Sequence, residues 1–124
     1  MVDRRVKYKK VEEVPVWQQS HKLVLKVYKI VSNFPKSEVY GITSQLRRAS
    51  SSIPANITEG FYRGTTKQLI QFLYIARASL GEVVYYLRLS RDLKYLKSKE
   101  YNHLTELSRD VGKQLNGWIN SLKK

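Results

Sequence analysis

The stretch Ser50-Ser51-Ser52-Ile53-Pro54-Ala55-Asn56-Ile57-Thr58-Glu59-Gly60 decides the fold. It lies in a region where Ile42, Leu46, Ala49, Ile53, Ile57 and Gly60 recur at three- and four-residue steps, the signature of one helix face. Pro54 offers no N–H to the Ser50 carbonyl and its ring crowds that carbonyl, so the helix is expected to kink or restart there. A local rule broken this openly needs a compensation elsewhere in the fold.

Working outward, the same periodicity marks four helices. The first runs from about Pro15 to Asn33, with Trp17, His21, Val24, Tyr28 and Val31 read as its inner face and Pro35 barring continuation. The second spans about Gly41 to Arg63, with Gly64 as its C-terminal cap. Thr65 and Gln68 read as a capping box opening the third, which extends to about Leu96. Ser98 is the expected cap of the fourth, whose inner face is Leu104, Leu107, Val111, Leu115, Trp118 and Leu122. Connections this short make neighbours antiparallel, which predicts an all-α, up-down-up-down four-helix bundle over 15–124. Residues 1–14 read as a basic, mobile lead-in.

The third helix differs from the rest. Leu69, Phe72, Leu73, Ala76, Leu80, Val83 and Leu87 form one face, yet Ile75, Val84, Tyr85, Tyr86 and Leu89 lie outside it. A helix apolar on more than one side is buried on more than one side. Another subunit is the simplest cover, so a homo-oligomer is expected, with Tyr85 and Tyr86 at the interface.

Trp17-Gln18, Asn33-Phe34-Pro35 with Glu38, Tyr40 to Arg48, the Ser-Ile-Pro-Ala-Asn-Ile-x-Glu-Gly block, and Phe72 to Ala76 followed by Ser79-Leu80 stand in one order along nearly the whole chain. In this the sequence resembles the bacterial four-helix-bundle proteins of the 23S rRNA intervening-sequence type, a family that itself looks related to the accessory variability protein of diversity-generating retroelements. Arg77-Ala78 and Val83 depart from the commoner residues at their positions. The resemblance implies a helical bundle, a ring-shaped pentamer, and nucleic-acid binding in at least one relative. For most members it implies no known activity.

Composition narrows the partner. The chain of 124 residues has 23 Lys and Arg against 10 Asp and Glu, a formal net charge of +13, and no cysteine. Such an excess draws polyanions. Absence of cysteine fits a reducing cytoplasm, and neither a signal peptide nor a membrane span is expected.

Three groups of candidate residues follow. Gln45, Ser52, Asn56, Glu59 and Arg63 flank the apolar face of the second helix, where Glu59 and Arg63 have the favoured ion-pair spacing. With Pro54 and Gly60 they read as a register and packing device. Catalysis by Glu59 is a weaker reading, since general acid–base work needs a second group opposite the substrate. Lys22, Lys26 and Lys29 share one face of the first helix, Arg47 and Arg48 adjoin on the second, and Arg77, Arg88 and Arg91 line the third beside Tyr74 and Tyr95. Forked arginines bind phosphate and exposed tyrosines stack on unpaired bases, so these are the expected nucleic-acid contacts. The arginine line competes with the subunit interface for the same surface. His21 and His103 stand without companion ligands and read as structural.

The expectation is therefore a non-enzymatic, oligomeric bundle that binds RNA or DNA through phosphates with low sequence specificity, without cofactor or metal. The alternative is a protein–protein adaptor docking a nucleic-acid-handling enzyme such as a reverse transcriptase.

Overall fold

A computed structural model describes residues 7–124. The described residues form four α-helices and no strand: α1 (Pro15–Val31), α2 (Ile42–Phe61), α3 (Thr66–Asp92) and α4 (Ser98–Lys123). Each packs on the next, and α4 closes back onto α1. This is the all-α bundle that the periodicity predicts. Residues 1–6 of the expected lead-in lie outside the described residues. From Val11 onward that stretch is packed, because Val11 and Val14 are buried in the core.

The helix ends follow from local chemistry. Pro15 opens α1 at a position whose N–H would be unpaired anyway. At the start of α2 the Glu38 carboxylate accepts the Ile42 N–H at 3.3 Å and the Tyr95 hydroxyl at 2.9 Å, tying the α1–α2 loop to the α3–α4 loop. The expected Gly64 cap does not form. Tyr62 already closes α2, donating its N–H to the Thr58 carbonyl, and no described glycine has a positive φ. At α3 the Thr65 hydroxyl accepts the Gln68 N–H at 3.1 Å as expected, but the Gln68 side chain answers the hydroxyl rather than the Thr65 backbone.

α3 stops at Asp92, short of Leu96, because Lys94 takes φ 66°. Tyr95 N–H then bonds the Ser90 carbonyl and Lys94 N–H the Arg91 carbonyl, a Schellman closure with lysine where glycine is usual. Ser98 is inside α4 and does not cap it. Lys97 precedes the helix, and its N–H is taken by the Glu100 carboxylate at 2.9 Å.

Three of the four inner faces match the periodicity. Leu69, Leu73, Ala76, Leu80, Val83 and Leu87 are buried on α3, with Phe72 half-buried at the edge. On α4 the buried set includes Leu104, Leu107, Val111, Leu115 and Leu122, with Ile119 fully inside and Trp118 half-buried. In α1 the expected face is wrong. Val16, Ser20, Leu23, Val27 and Val31 are buried, whereas His21 and Tyr28 are exposed. Both stripes have helical spacing. The buried one is the slimmer, and the bulkier Trp17 is left at the α1–α2 seam, its indole N–H donating to the Thr58 hydroxyl at 3.0 Å.

Pro54 neither ends nor restarts the helix. α2 runs through it as one helix, with the ring buried. In the turn ahead, the Ser50 and Ser51 hydroxyls donate to the Arg47 carbonyl, and one turn later Thr58 Oγ1 donates to the Pro54 carbonyl. These side-chain bonds into the helix backbone accompany a proline held in place by burial, so tertiary packing overrides the expected restart.

α2 and α3 form the closest-packed pair of helices. Ser52 and Ser79 hydroxyls meet at 2.9 Å, and Asn56 Nδ2 donates to the Ser52 carbonyl and hydroxyl. At Gly60 an added Cβ would lie 2.7 Å from Phe72 Cβ and 3.1 Å from Leu69 Cδ1. Gly60→Ala is thus expected to destabilise the fold by about 1–3 kcal/mol. Gly117→Ala, with open space at its Cβ, should instead stabilise by about 0.5–1 kcal/mol. Urea denaturation at one fixed protein concentration checks both; equal effects would disprove the close approach.

Candidate nucleic-acid interface

The arginines of α3 lie along its seam with α4, where they form two clusters. In the first, Arg77 donates to Asn116 Oδ1 at 3.0 Å and its guanidinium sits 4.8 Å from the Tyr74 ring centre. Lys123 reaches the same tyrosine, donating to its hydroxyl at 3.2 Å. In the second, Arg91 lies 4.6 Å over the Tyr101 ring and bonds Asp92, and Arg88 acts on the Tyr101 phenol from nearby, lowering its pKa. Eleven residues of helix separate Arg77 from Arg88, about 16 Å along the axis. The periodicity of α3 locates the arginines. It is silent on Tyr101, Asn116 and Lys123, which α4 supplies, because the register between two helices is not written in either one alone.

Tyr95 is not on this line. It lies beyond the end of α3 and points at Glu38. The two tyrosines that are on the seam already have a cation over a ring face, which removes that face from base stacking. What the seam offers is guanidinium and ammonium groups for phosphate oxygens. Of the four cations Arg77, Arg88, Arg91 and Lys123, only Arg91 pairs with a carboxylate of the described residues, Asp92.

The other candidates divide differently. Arg48 is committed to Gln45 and to Glu82 at 2.6 Å, and half-buried Arg47 packs 5.3 Å from the Tyr28 ring centre. Both brace the bundle. Glu59 pairs with Arg63 at 2.6 Å on the surface, and Arg63 lies 4.9 Å from the Phe72 ring centre. Gln45, Ser52, Asn56, Glu59 and Arg63 all take part in bonds within α2 or across to α3. On the other side of α4, Lys26 and Lys29 line the α1–α4 groove with His103, while Lys22 is exposed on α1 and does not line it. His21 stacks on Trp17 at 5.0 Å. Among the described residues no group of three or more His, Cys, Asp or Glu could hold a metal ion.

On α3, Ile75, Val84 and Tyr85 are 48%, 38% and 58% exposed, and Tyr86 is half-buried, edge-on to Tyr85. Ile75 and Tyr85 lie on the outward side, away from the arginines turned to α4. Ile75 and Tyr85 thus lie on a flank adjacent to the arginine line of α3, whereas Val84 falls on that line itself.

Residues 12–117 match the 23S rRNA-intervening sequence protein family. The chain belongs to that family. It also resembles a crystal structure from Bacteroides thetaiotaomicron, described as a protein with unknown function from the S23 ribosomal protein family. The two share 25% identity and a TM-score of 0.76, over 84% of this chain and 97% of the other. No curated protein matches. Neither description names an enzymatic activity. No helix among the described residues is long and apolar enough to cross a membrane.

In this member of the intervening-sequence family two phenols are shifted in opposite directions. The hydrogen bond to Glu38 raises Tyr95 above the ordinary value of 10.0, with desolvation and the carboxylate charge adding to it. For Tyr101, desolvation pushes upward, but bonds with Thr105 and Arg88 and the charges of Arg91 and Arg88 together bring it below 10.0. The Tyr95 contribution to stability is therefore present below pH about 10 and lost as pH rises through its higher folded value. That of Tyr101 is present above the unfolded value and lost as pH falls through the lower folded one. In an absorbance titration, Tyr101→Phe should remove an early-ionising phenol and Tyr95→Phe a late one. The reverse order would refute both environments.

Proposed function

We propose that this protein is a non-enzymatic, oligomeric nucleic-acid-binding bundle that recognises phosphate with low sequence specificity. The observation that carries this reading is the α3–α4 seam: four cations in two clusters about 16 Å apart, held by aromatic rings and an amide, with a single carboxylate among them. The net charge of +13 supports it. So does the ion-pair pattern, since the pairs between described residues all use Arg48, Arg63 and Arg91, and no described lysine pairs with a described carboxylate. The outward apolar face of α3 supports self-association. A ring-shaped pentamer, the form implied by the family resemblance, would repeat the seam five times and turn weak contacts into avidity.

The adaptor reading, in which the bundle docks a nucleic-acid-handling enzyme, draws on exposed Val84 one turn before Arg88. It predicts a partner held by apolar contact, hence little salt dependence.

Light scattering should give a mass well above the 14.5 kDa chain; a monomer at tens of micromolar would remove the oligomer. Gel shifts against duplex, hairpin and single-stranded RNA and DNA should show affinity falling steeply with salt. Arg88→Glu with Arg91→Glu should flatten the log–log salt slope by about two per binding unit and weaken all sequences alike. Lys22→Glu with Lys26→Glu should do less. Sizing the variants first separates a lost contact from a lost assembly. No binding at low salt, or arginine variants that bind as the parent does, would overturn this reading.

A further inference from the structure

We infer that the groove between α1 and α4 is a docking site for an acidic amphipathic helix of a partner protein. The α1–α4 seam is the loosest of the four between neighbouring helices, and it leaves a trench of about 290 Å³. Half-buried Ile30 and the aliphatic stems of the lysines make its apolar lining above fully buried Leu104, and Lys26, Lys29, Lys99 and His103 contribute its basic groups. Glu100 also lines it, but its carboxylate is engaged by the Lys97 N–H at 2.9 Å. None of the three lysines pairs with a carboxylate of the described residues.

Size and chemistry select the occupant. The trench lies at the lower edge of small-molecule pockets, which span about 300–1,000 Å³. It suits one or two aliphatic anchors from a helix laid along the seam, the usual geometry of helix-in-groove recognition. The lysines would meet phosphates as well as carboxylates, but a sugar–phosphate backbone would leave the apolar floor uncovered, whereas leucine anchors would cover it. The three lysines then face carboxylates on the flanks of the bound helix. Polarity along the groove is set as well. Glu106 and Asp110 line a more open hollow further along α4, with His103 and Leu107, so the acidic end of the occupant belongs near Lys29 and Lys99.

The site is separate from the arginine seam, on the opposite flank of α4, and the two fail independently. The probe is a fluorescein-labelled synthetic helix of about 16 residues, with leucines at i and i+4 and glutamates on either side. Fluorescence anisotropy with the full chain should show binding in the micromolar range. Lys29→Glu with Lys99→Glu, both exposed positions, should raise Kd at least about tenfold, and Arg88→Glu with Arg91→Glu should leave it within about twofold. Replacing the peptide leucines by alanine should also weaken binding about tenfold. Circular dichroism and sizing confirm that each variant is folded and assembled, and Lys26→Ala supplies a milder test of the same rim.

The inference is overturned if the peptide does not bind or if its alanine version binds equally well, since charge alone would then suffice. It is overturned as well if the arginine variant loses the peptide as fully as the lysine variant does. A labelled RNA hairpin that loses affinity with Lys29→Glu and Lys99→Glu would assign the groove to nucleic acid. Dissociation of the oligomer by those same changes would assign it to a second copy of the chain.

Discussion

At Gly60 the backbone of α2 comes so close to α3 that a Cβ there would collide with Phe72 and Leu69. That contact fixes both the separation and the register of the two helices. The Ser52–Ser79 pair, two turns away, holds the same spacing with small hydroxyls, and Asn56 anchors Ser52 in turn. Pro54 is buried within this run and is accommodated because the helices around it are already committed. With α3 set against α2 in this way, Glu82 falls beside Arg48. Ile75 and Tyr85 turn outward, and Arg77, Arg88 and Arg91 turn to α4. The presentation of charge is a consequence of packing on the opposite side of the same helix.

The tyrosines of the α3–α4 seam stiffen the cations. A free arginine gives up about 2 kcal/mol of rotamer freedom when held in one geometry. Here Tyr74 and Tyr101 have already restrained Arg77 and Arg91, and the Asn116 carbonyl takes one donor of the first fork. Such preorganisation lowers the ordering cost of a phosphate contact. It also limits what can be recognised, because a ring with a cation over its face cannot stack a base there. The seam therefore suits backbone geometry and gives little means of reading bases.

Much of this was legible in the sequence. Fold class follows from periodicity, and the burial of α2, α3 and α4 from leucine and isoleucine spacing. The Gly60 close approach and the Glu59–Arg63 pair were readable too, since both depend on local spacing and residue size. The α1 face was not, because two stripes one residue apart share Val31 and both repeat correctly. What separates them is the fit of Leu23 and Val27 against neighbouring helices, a tertiary property. The end of α3 at Asp92 and the start of α4 after Lys97 were also hidden. Lysine at a left-handed position and a glutamate reaching back to a backbone N–H carry weaker signatures than glycine and serine. The seam was half legible: α3 shows its arginines, while Tyr101 and Lys123 join them only once α4 is docked.

α4 stands between two basic surfaces of different make. On one side arginines are braced by tyrosines; on the other, lysines line an apolar trench. A helix is about 10–12 Å across with its side chains, and the Debye length is about 8 Å at physiological ionic strength. The two surfaces are thus largely screened from each other under cellular salt. At tenfold lower ionic strength the screening length grows past the width of α4, and an anion on either side would weaken the field felt by one on the other. Charge alone would then make the two sites compete without any overlap of contacts. Separate occupancy at physiological salt is what this geometry permits, since it rests on the width of one helix and requires no conformational change.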